Sequence, residues 1–340
     1  MSLGSRFYRQ KGRVTMDENE LMGSMKVSKA VAKMAIPSVI SSLVTVVYNM
    51  ADTFFVGQTG DPLQVAAVSL TNPIFILFMA FANMFGMGGS AAASMALGEK
   101  KEKRVKQVSS FITYASLIVG IVFAAILLVG MQPVLQLFGA DADTYELAKG
   151  YTTYISYGAP FIIWSAAASF VVRADGASRE AMTGSMIGTV ANIILDPIFI
   201  SGFGMGAAGA AIATTIGNIM ASVYYLWYFC RKSRNMSMAF RYFKCGDRIL
   251  SQVCSAGLPT AIFSALMSIS TIILNQILVA YGNAPVAAIG IVFKANMFIT
   301  FLQMGLANGV QPLLGYSYGA GNRERFIAVE RYTKKCCLIV

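Results

Sequence analysis

The sequence predicts an all-α polytopic membrane protein built from two similar lobes, and three observations predict it. The 340-residue chain is 56% hydrophobic and 13% charged, with a mean hydropathy of +0.61, whereas soluble domains average about 25% charged residues. Its apolar residues form continuous runs of about 20, the length of a membrane-crossing helix, and do not alternate as barrel strands do. A long pattern also occurs twice, about 221 residues apart.

The runs lie near residues 34–57, 66–95, 106–131, 151–172, 181–201, 207–230, 252–280 and 286–312, and a ninth is expected to begin near 333. The first copy of the repeat carries Pro37, Ile40, Ser42, Gly60, Val65, Ala66, Ala67, Gly88, Gly98 and Arg104. The second carries Pro259, Ile262, Ser264, Gly282, Val286, Ala287, Ala288, Gly309, Gly319 and Arg325. Duplicated apolar halves of this length are characteristic of membrane transporters. Residues 25–247 read as a six-helix N-lobe behind a polar tail, 1–24. Residues 248–340 read as a partial C-lobe of two spans and the start of a third. A second copy as long as the first would need twelve spans, so the chain is expected to be a fragment.

The net charge of +11 is placed by topology. Lys and Arg gather before span one and after spans two, four, six and eight. The opposite connections hold Asp61, Asp141, Asp143, Glu146 and the single lysine Lys149. Positive charge stays on the cytoplasmic side, so the N-terminus is expected inside and odd-numbered spans run outward. The charge therefore does not imply a nucleic-acid partner. The chain has no histidine, which excludes histidine relays and histidine-ligated metals. Its five cysteines, Cys230, Cys245, Cys254, Cys336 and Cys337, lie in or beside cytoplasmic segments, where a disulfide framework is not expected. No nucleophile–base constellation or phosphate loop points to an enzyme, and no cofactor is implied.

Two acids, Asp52 and Asp196, lie well inside spans. A carboxylate at the centre of a membrane helix costs about 2.5–3.5 kcal/mol on insertion scales, so such residues are retained for function. Both fall late in outward-running spans, one and five, at similar heights in the outer half of the bilayer, where they can share a cavity. Asp52 has no counterpart in the second copy, where Leu274 stands. Asn192 lies one turn before Asp196 and shares its helix face; Asn49 lies three residues before Asp52. Thr214 in span six and Tyr151 at the opening of span four reach the same depth. Oxygen ligands around a buried space suit a proton or a small hard cation such as Na⁺. Lys294 is the one cation deep in a span, a candidate for substrate contact or gating, or a snorkelling side chain. The 20 Met and 22 Phe suit a pocket that accepts varied apolar shapes.

These residues resemble the multidrug and toxic compound extrusion (MATE) family of cation-coupled exporters, most closely its bacterial DinF-like branch. The likeness rests on Pro37 with Asn49-Met-Ala-Asp52-Thr-Phe-Phe-Val-Gly57, on Asn192-Ile-Ile-Leu-Asp196-Pro197, on Gly206 to Thr214, and on Gly305 to Gly319. The resemblance implies twelve helices in two lobes, a central cleft and alternating access. It implies a coupling role for Asp52, assisted by Asn192, Asp196, Tyr151 and Thr214, with Tyr154 and Tyr157 competing for the tyrosine position. It further implies a monomer in the inner (plasma) membrane that exports amphipathic, often cationic, compounds in exchange for H⁺ or Na⁺. A flippase for lipid-linked precursors is the alternative; it needs arginines deep in the spans, and none is expected. An inactive truncated product is the third reading.

Overall fold

The computed structural model describes residues 20–58, 60–244, 246, 248–279 and 283–339. The described residues form nine long helices: α1 Val27–Gly57, α2 Pro62–Gly98, α3 Glu102–Val129, α4 Tyr145–Ala174, α5 Ser178–Pro197, α6 Gly206–Arg231, α7 Ile249–Val279, α8 Asn283–Gly319 and α9 Arg323–Ile339. A short helix, Met131–Leu137, follows α3, and a π-helical turn, Ile198–Gly202, prolongs α5. Among the described residues, α1 to α6 are long and apolar enough to cross a membrane. Bulky side chains left uncovered on α3, such as Ile118, Ile121, Val122 and Ile126, form a stripe suited to lipid.

The ninth helix, Arg323–Ile339, takes in the residues from near 333 and adds before them a stretch with charges of both signs. Such a segment is helical without being apolar, and hydropathy alone does not detect it. The stretch read as polar tail also contributes to the core. Leu21 and Met22 are buried against Leu306, Val310, Leu313 and Val329.

The repeat in the sequence is a repeat in packing. Helix α1 lies on α8, and α2 lies on α7; these are equivalent interfaces once the two copies are exchanged. A Cβ on Gly88 of α2 would meet Val253 O of α7 at 2.1 Å, and one on Gly309 of α8 would meet Ala35 Cα of α1 at 2.7 Å. Small residues let backbones touch where lipid removes any hydrophobic drive between helices. The turn after each copy's second helix also matches, since Lys100 and Gly321 occupy the same repeat position with φ of 58° and 68°. A lysine holding a left-handed conformation where its counterpart is glycine shows that the turn is imposed by the flanking helices.

The N-lobe core joins α2, α3, α4, α5 and α6 through Phe85, Ile112, Trp164, Val171, Ala181, Tyr225 and Tyr228. Beyond α6 the chain returns over the lobe. Ser109 Oγ donates to Ser237 O (2.9 Å), and Tyr114 OH donates to Met238 O (3.0 Å). The four described cysteines, Cys230, Cys254, Cys336 and Cys337, are free thiols.

Candidate functional site

Helices α5 and α6 meet through paired glycines. A Cβ on Gly217 would lie 2.6 Å from Gly188 O, and one on Gly188 would lie 2.8 Å from Gly217 O. This approach sets Asn192, one turn beyond Gly188, directly against Thr214, just before Gly217. Only one orientation of the Asn192 amide matches donors to acceptors on every side. In it, Nδ2 donates to Asp196 Oδ2 at 3.0 Å, while Oδ1 accepts from the Thr214 hydroxyl (3.1 Å) and backbone N–H (2.8 Å). With the Thr214 proton committed to Asn192, Tyr48 OH is left to donate to Thr214 Oγ1, 3.5 Å away. The result is a directed chain from Tyr48 through Thr214 and Asn192 to Asp196.

Asp196 is fully buried, and its second oxygen, Oδ1, has no hydrogen-bond partner among the described residues. A buried carboxylate oxygen left bare is costly, and a proton or a cation placed there would remove that cost. Asp52, half-buried on α1, and Tyr151 on α4 lie within electrostatic reach of Asp196 and of Tyr48. Tyr151 also packs with Val56, Ile200 and Ala210, where α1, the π-helical turn and α6 converge. Tyr154 and Tyr157 are 38% and 60% exposed; of these three tyrosines of α4, Tyr151 is the one beside the acids. The chain's start of α6 is fixed by Gln64 of α2, whose Oε1 accepts from Ala207 N–H at 2.8 Å.

A cavity of about 420 Å³ opens beside this cluster, between α1, α2, α4, α5, α6 and α8. Tyr48, Asn49, Asn192 and Thr214 line it, together with Phe75, Met79, Phe170, Phe301 and Met304. Asp52 and Asp196 do not. The two acids are near each other but not on this cavity's surface; the hydrogen-bonded pair Asn192–Thr214 stands between Asp196 and the cavity. The acids and the cavity are neighbours across one polar partition. Lys294 falls on α8, but its side chain lies outside the described residues. No group of three or more metal-ligating side chains occurs among the described residues.

Two residues escaped the sequence reading. Tyr48 lies one turn before Asp52 on the same face of α1, a spacing that would have drawn attention to it. Arg173, in the last turn of α4, is buried and lines the cavity; it stands at the end of its span, so the expectation that no arginine lies deep in a span is unaffected. Its place beside the polar Arg173-Ala-Asp-Gly176 turn made it read as a cytoplasmic charge.

Comparison with known proteins follows the geometry. The MatE family matches residues 37–198 and 259–339. The chain is 35% identical over 292 residues to the multidrug export protein MepA of Staphylococcus saprophyticus, covering 86% of this chain and 65% of the relative. To MepA of Staphylococcus aureus it is 33% identical over 294 residues, with the same coverage. It thus spans about 65% of the length of these curated relatives. An outward-facing structure of a multidrug resistance MATE family transporter of the MOP superfamily aligns with a TM-score of 0.88 at 28% identity. That alignment covers 93% of this chain and 70% of the other. A MATE structure in the straight conformation gives 0.89 at 27% identity, over 95% and 72%. With the family model matched over both copies of the repeat, the chain belongs to the MatE family.

Proposed function

We propose that the protein is the membrane part of a secondary exporter, in which a cation at Asp52 and Asp196 competes with an amphipathic organic compound in the adjacent cavity. The observation that carries this reading is the shared partition. Asn192 donates behind to Asp196, Thr214 donates to Asn192, and both residues face forward into the cavity. Two carboxylates in one desolvated space repel each other, and a proton or Na⁺ at the bare Oδ1 relieves that repulsion. Seating it redirects the Asn192 amide and Thr214 hydroxyl, and so alters the wall that the organic compound touches. Competition of this kind is the thermodynamic content of exchange, because each ligand must weaken the other by the same factor.

The Met and Phe side chains around the cavity suit varied apolar shapes. The name of the MepA relatives, multidrug export protein, supports the same substrate class. Alternating access between two lobes, a cytoplasmic N-terminus and a plasma-membrane location complete the proposal. Binding of a fluorescent cationic dye to the purified protein, titrated at rising Na⁺ and at falling pH, tests it. Either cation should weaken dye binding, and the effect should vanish in Asp196→Asn. Dye affinity indifferent to both cations would overturn the reading.

A further inference from the structure

The linker between α6 and α7 covers hydroxyls on α3 and sets aromatic rings in their place. Ser109, Ser110 and Tyr114 donate to the carbonyls of Ser237 (2.9 Å), Ala239 (3.1 Å) and Met238 (3.0 Å), and Ser237 N–H donates back to Ser109 Oγ (3.0 Å). Ser109 and Ser110 are thereby buried. The next residues, Phe240–Tyr242, form a 3₁₀ turn. Phe240 and Phe243 stack with centroids 5.7 Å apart, and Tyr114 meets each of them edge-on at 5.4 Å. Phe240 nevertheless stays 70% exposed. Hydrogen bonds and ring contacts both fix the turn, so this exposed ring is a built feature of the surface.

The ring continues the uncovered stripe of α3. Tyr114 stands one turn before Ile118 on the same helix face, with Ile121, Val122 and Ile126 beyond. From Ile118 to Val129 the stripe rises about 16 Å, roughly half of a ~30 Å hydrocarbon core. Phe240, packed on Tyr114, carries it further toward the start of α3. Arg241 and Lys244, both exposed, flank the aromatic pair. The Arg241 guanidinium lies over the Tyr242 ring, 4.8 Å from the centroid, which orients the charge without neutralising it. Residues 231–248 hold six Lys and Arg against one acid, Asp247, which lies outside the described residues. An apolar surface that continues a lipid-facing stripe and ends in cations fits a partner with acyl chains and a negative headgroup.

We propose that this turn binds an anionic phospholipid, whose phosphate pairs with Arg241 and whose acyl chain lies against Phe240 and the α3 stripe. Basic residues beside a membrane attract anionic lipids, and an arginine can hold a phosphate through two donors at once. Helices completing the second copy of the repeat would stand beside α8 and α9, as α4 stands beside α2 and α3, and would leave this face open. The lipid sits outside the bundle, so the inference is independent of what the cavity carries.

The test places a reporter at the ring, Phe240→Trp, in vesicles of phosphatidylcholine and phosphatidylglycerol with brominated acyl chains on one lipid or the other. Bromine quenches tryptophan on contact, and the signal of the unsubstituted chain, from Trp164 and Trp227, is subtracted. Quenching across mixing ratios gives the relative affinity of the two lipids at that ring. Phosphatidylglycerol should be preferred about fivefold, the share of one basic residue near a membrane surface. Arg241→Gln, added to the reporter, should lower the preference at least about twofold. Arg323→Gln, which removes an exposed charge at the start of α9, should leave it unchanged. If Phe240→Trp does not fold, as read by circular dichroism, mass spectrometry of lipid retained by the unsubstituted and Arg241→Gln chains decides, and the variant should retain less phosphatidylglycerol. Equal affinity of the two lipids, a preference that Arg241→Gln leaves intact, or equal retention by the two chains would overturn the proposal. Quenching by neither lipid would show that Phe240 faces some other occupant, and would overturn it as well.

Discussion

Gly98 and Gly319, which occupy the same place in the two copies of the repeat, meet each other where α2 crosses α8. A Cβ on Gly98 would stand 2.2 Å from Tyr316 O and 3.0 Å from Gly319 C, and one on Gly319 would stand 2.1 Å from Met95 O. The obstruction is backbone in both cases and cannot swing aside. Valine at either position should therefore lower stability by about 1–3 kcal/mol or prevent folding. Gly57→Ala, where nothing lies within 4 Å, should be nearly neutral. Thermal unfolding in detergent, followed by circular dichroism, checks the contrast; equal melting temperatures would show that the crossing tolerates a side chain.

Arg325 closes the start of α9 onto the turn at Leu21–Met25. Its Nε, Nη1 and Nη2 donate to the carbonyls of Met22 (2.9 Å), Met25 (2.8 Å) and Leu21 (3.2 Å). One planar fork serves three acceptors, which a lysine cannot reproduce. Both Arg325→Ala and Arg325→Lys should speed tryptic cleavage after Lys26 several-fold. Unaltered cleavage in either variant would mean that burial of Leu21 and Met22 alone holds the turn.

The repeat was legible because fold symmetry preserves it in the residues that set backbone geometry. Gly88, Gly98, Gly309 and Gly319 were visible as spaced glycines, and all four sit at helix crossings. The acids were legible for a different reason: Asp52 and Asp196 are conspicuous in apolar runs. The partition between acids and cavity was not legible, because it depends on how closely Gly188 and Gly217 bring α5 to α6. The burial of Arg173 was not legible because its neighbours, Asp175 and Gly176, form a polar turn on paper. In the structure that turn is covered by the Ser233–Asn235 segment, far along the chain.

Asp175 gives a pH-dependent prediction. Burial pushes its carboxyl above the usual carboxylate range, against the pull of the Ser233, Tyr228 and Asn235 hydrogen bonds. A raised value in the folded state means that the fold binds this proton more tightly than the unfolded chain does. Its contribution is therefore fully present below the ordinary aspartate range, near pH 3.9, and lost as pH rises through the folded value. Melting temperatures of wild type and Asp175→Asn, measured across pH, should diverge in that direction, with the wild type losing ground as pH rises. A constant difference would contradict the assignment.

Tyr48 tests the directed hydrogen-bond chain. Tyr48→Phe removes the donor to Thr214 Oγ1 and little else. It should weaken the response of dye binding to Na⁺ or protons by a few-fold, without changing dye affinity at low Na⁺ and high pH. Asn192→Leu, which cuts the link to Asp196 itself, should act more strongly on the same response. Equal effects on affinity and cation response in Tyr48→Phe would place it in the cavity wall only.

The central claim is that Asp52 and Asp196 form one cation-binding unit through the partition of Asn192 and Thr214. Infrared difference spectra of the purified protein, recorded on adding Na⁺ or changing pH, read carboxyl groups directly. We predict a carboxyl difference band that is altered in both Asp52→Asn and Asp196→Asn, and displaced in Asn192→Leu. A band that survives both aspartate substitutions unchanged, or that answers to only one of them and ignores Asn192, would contradict the account.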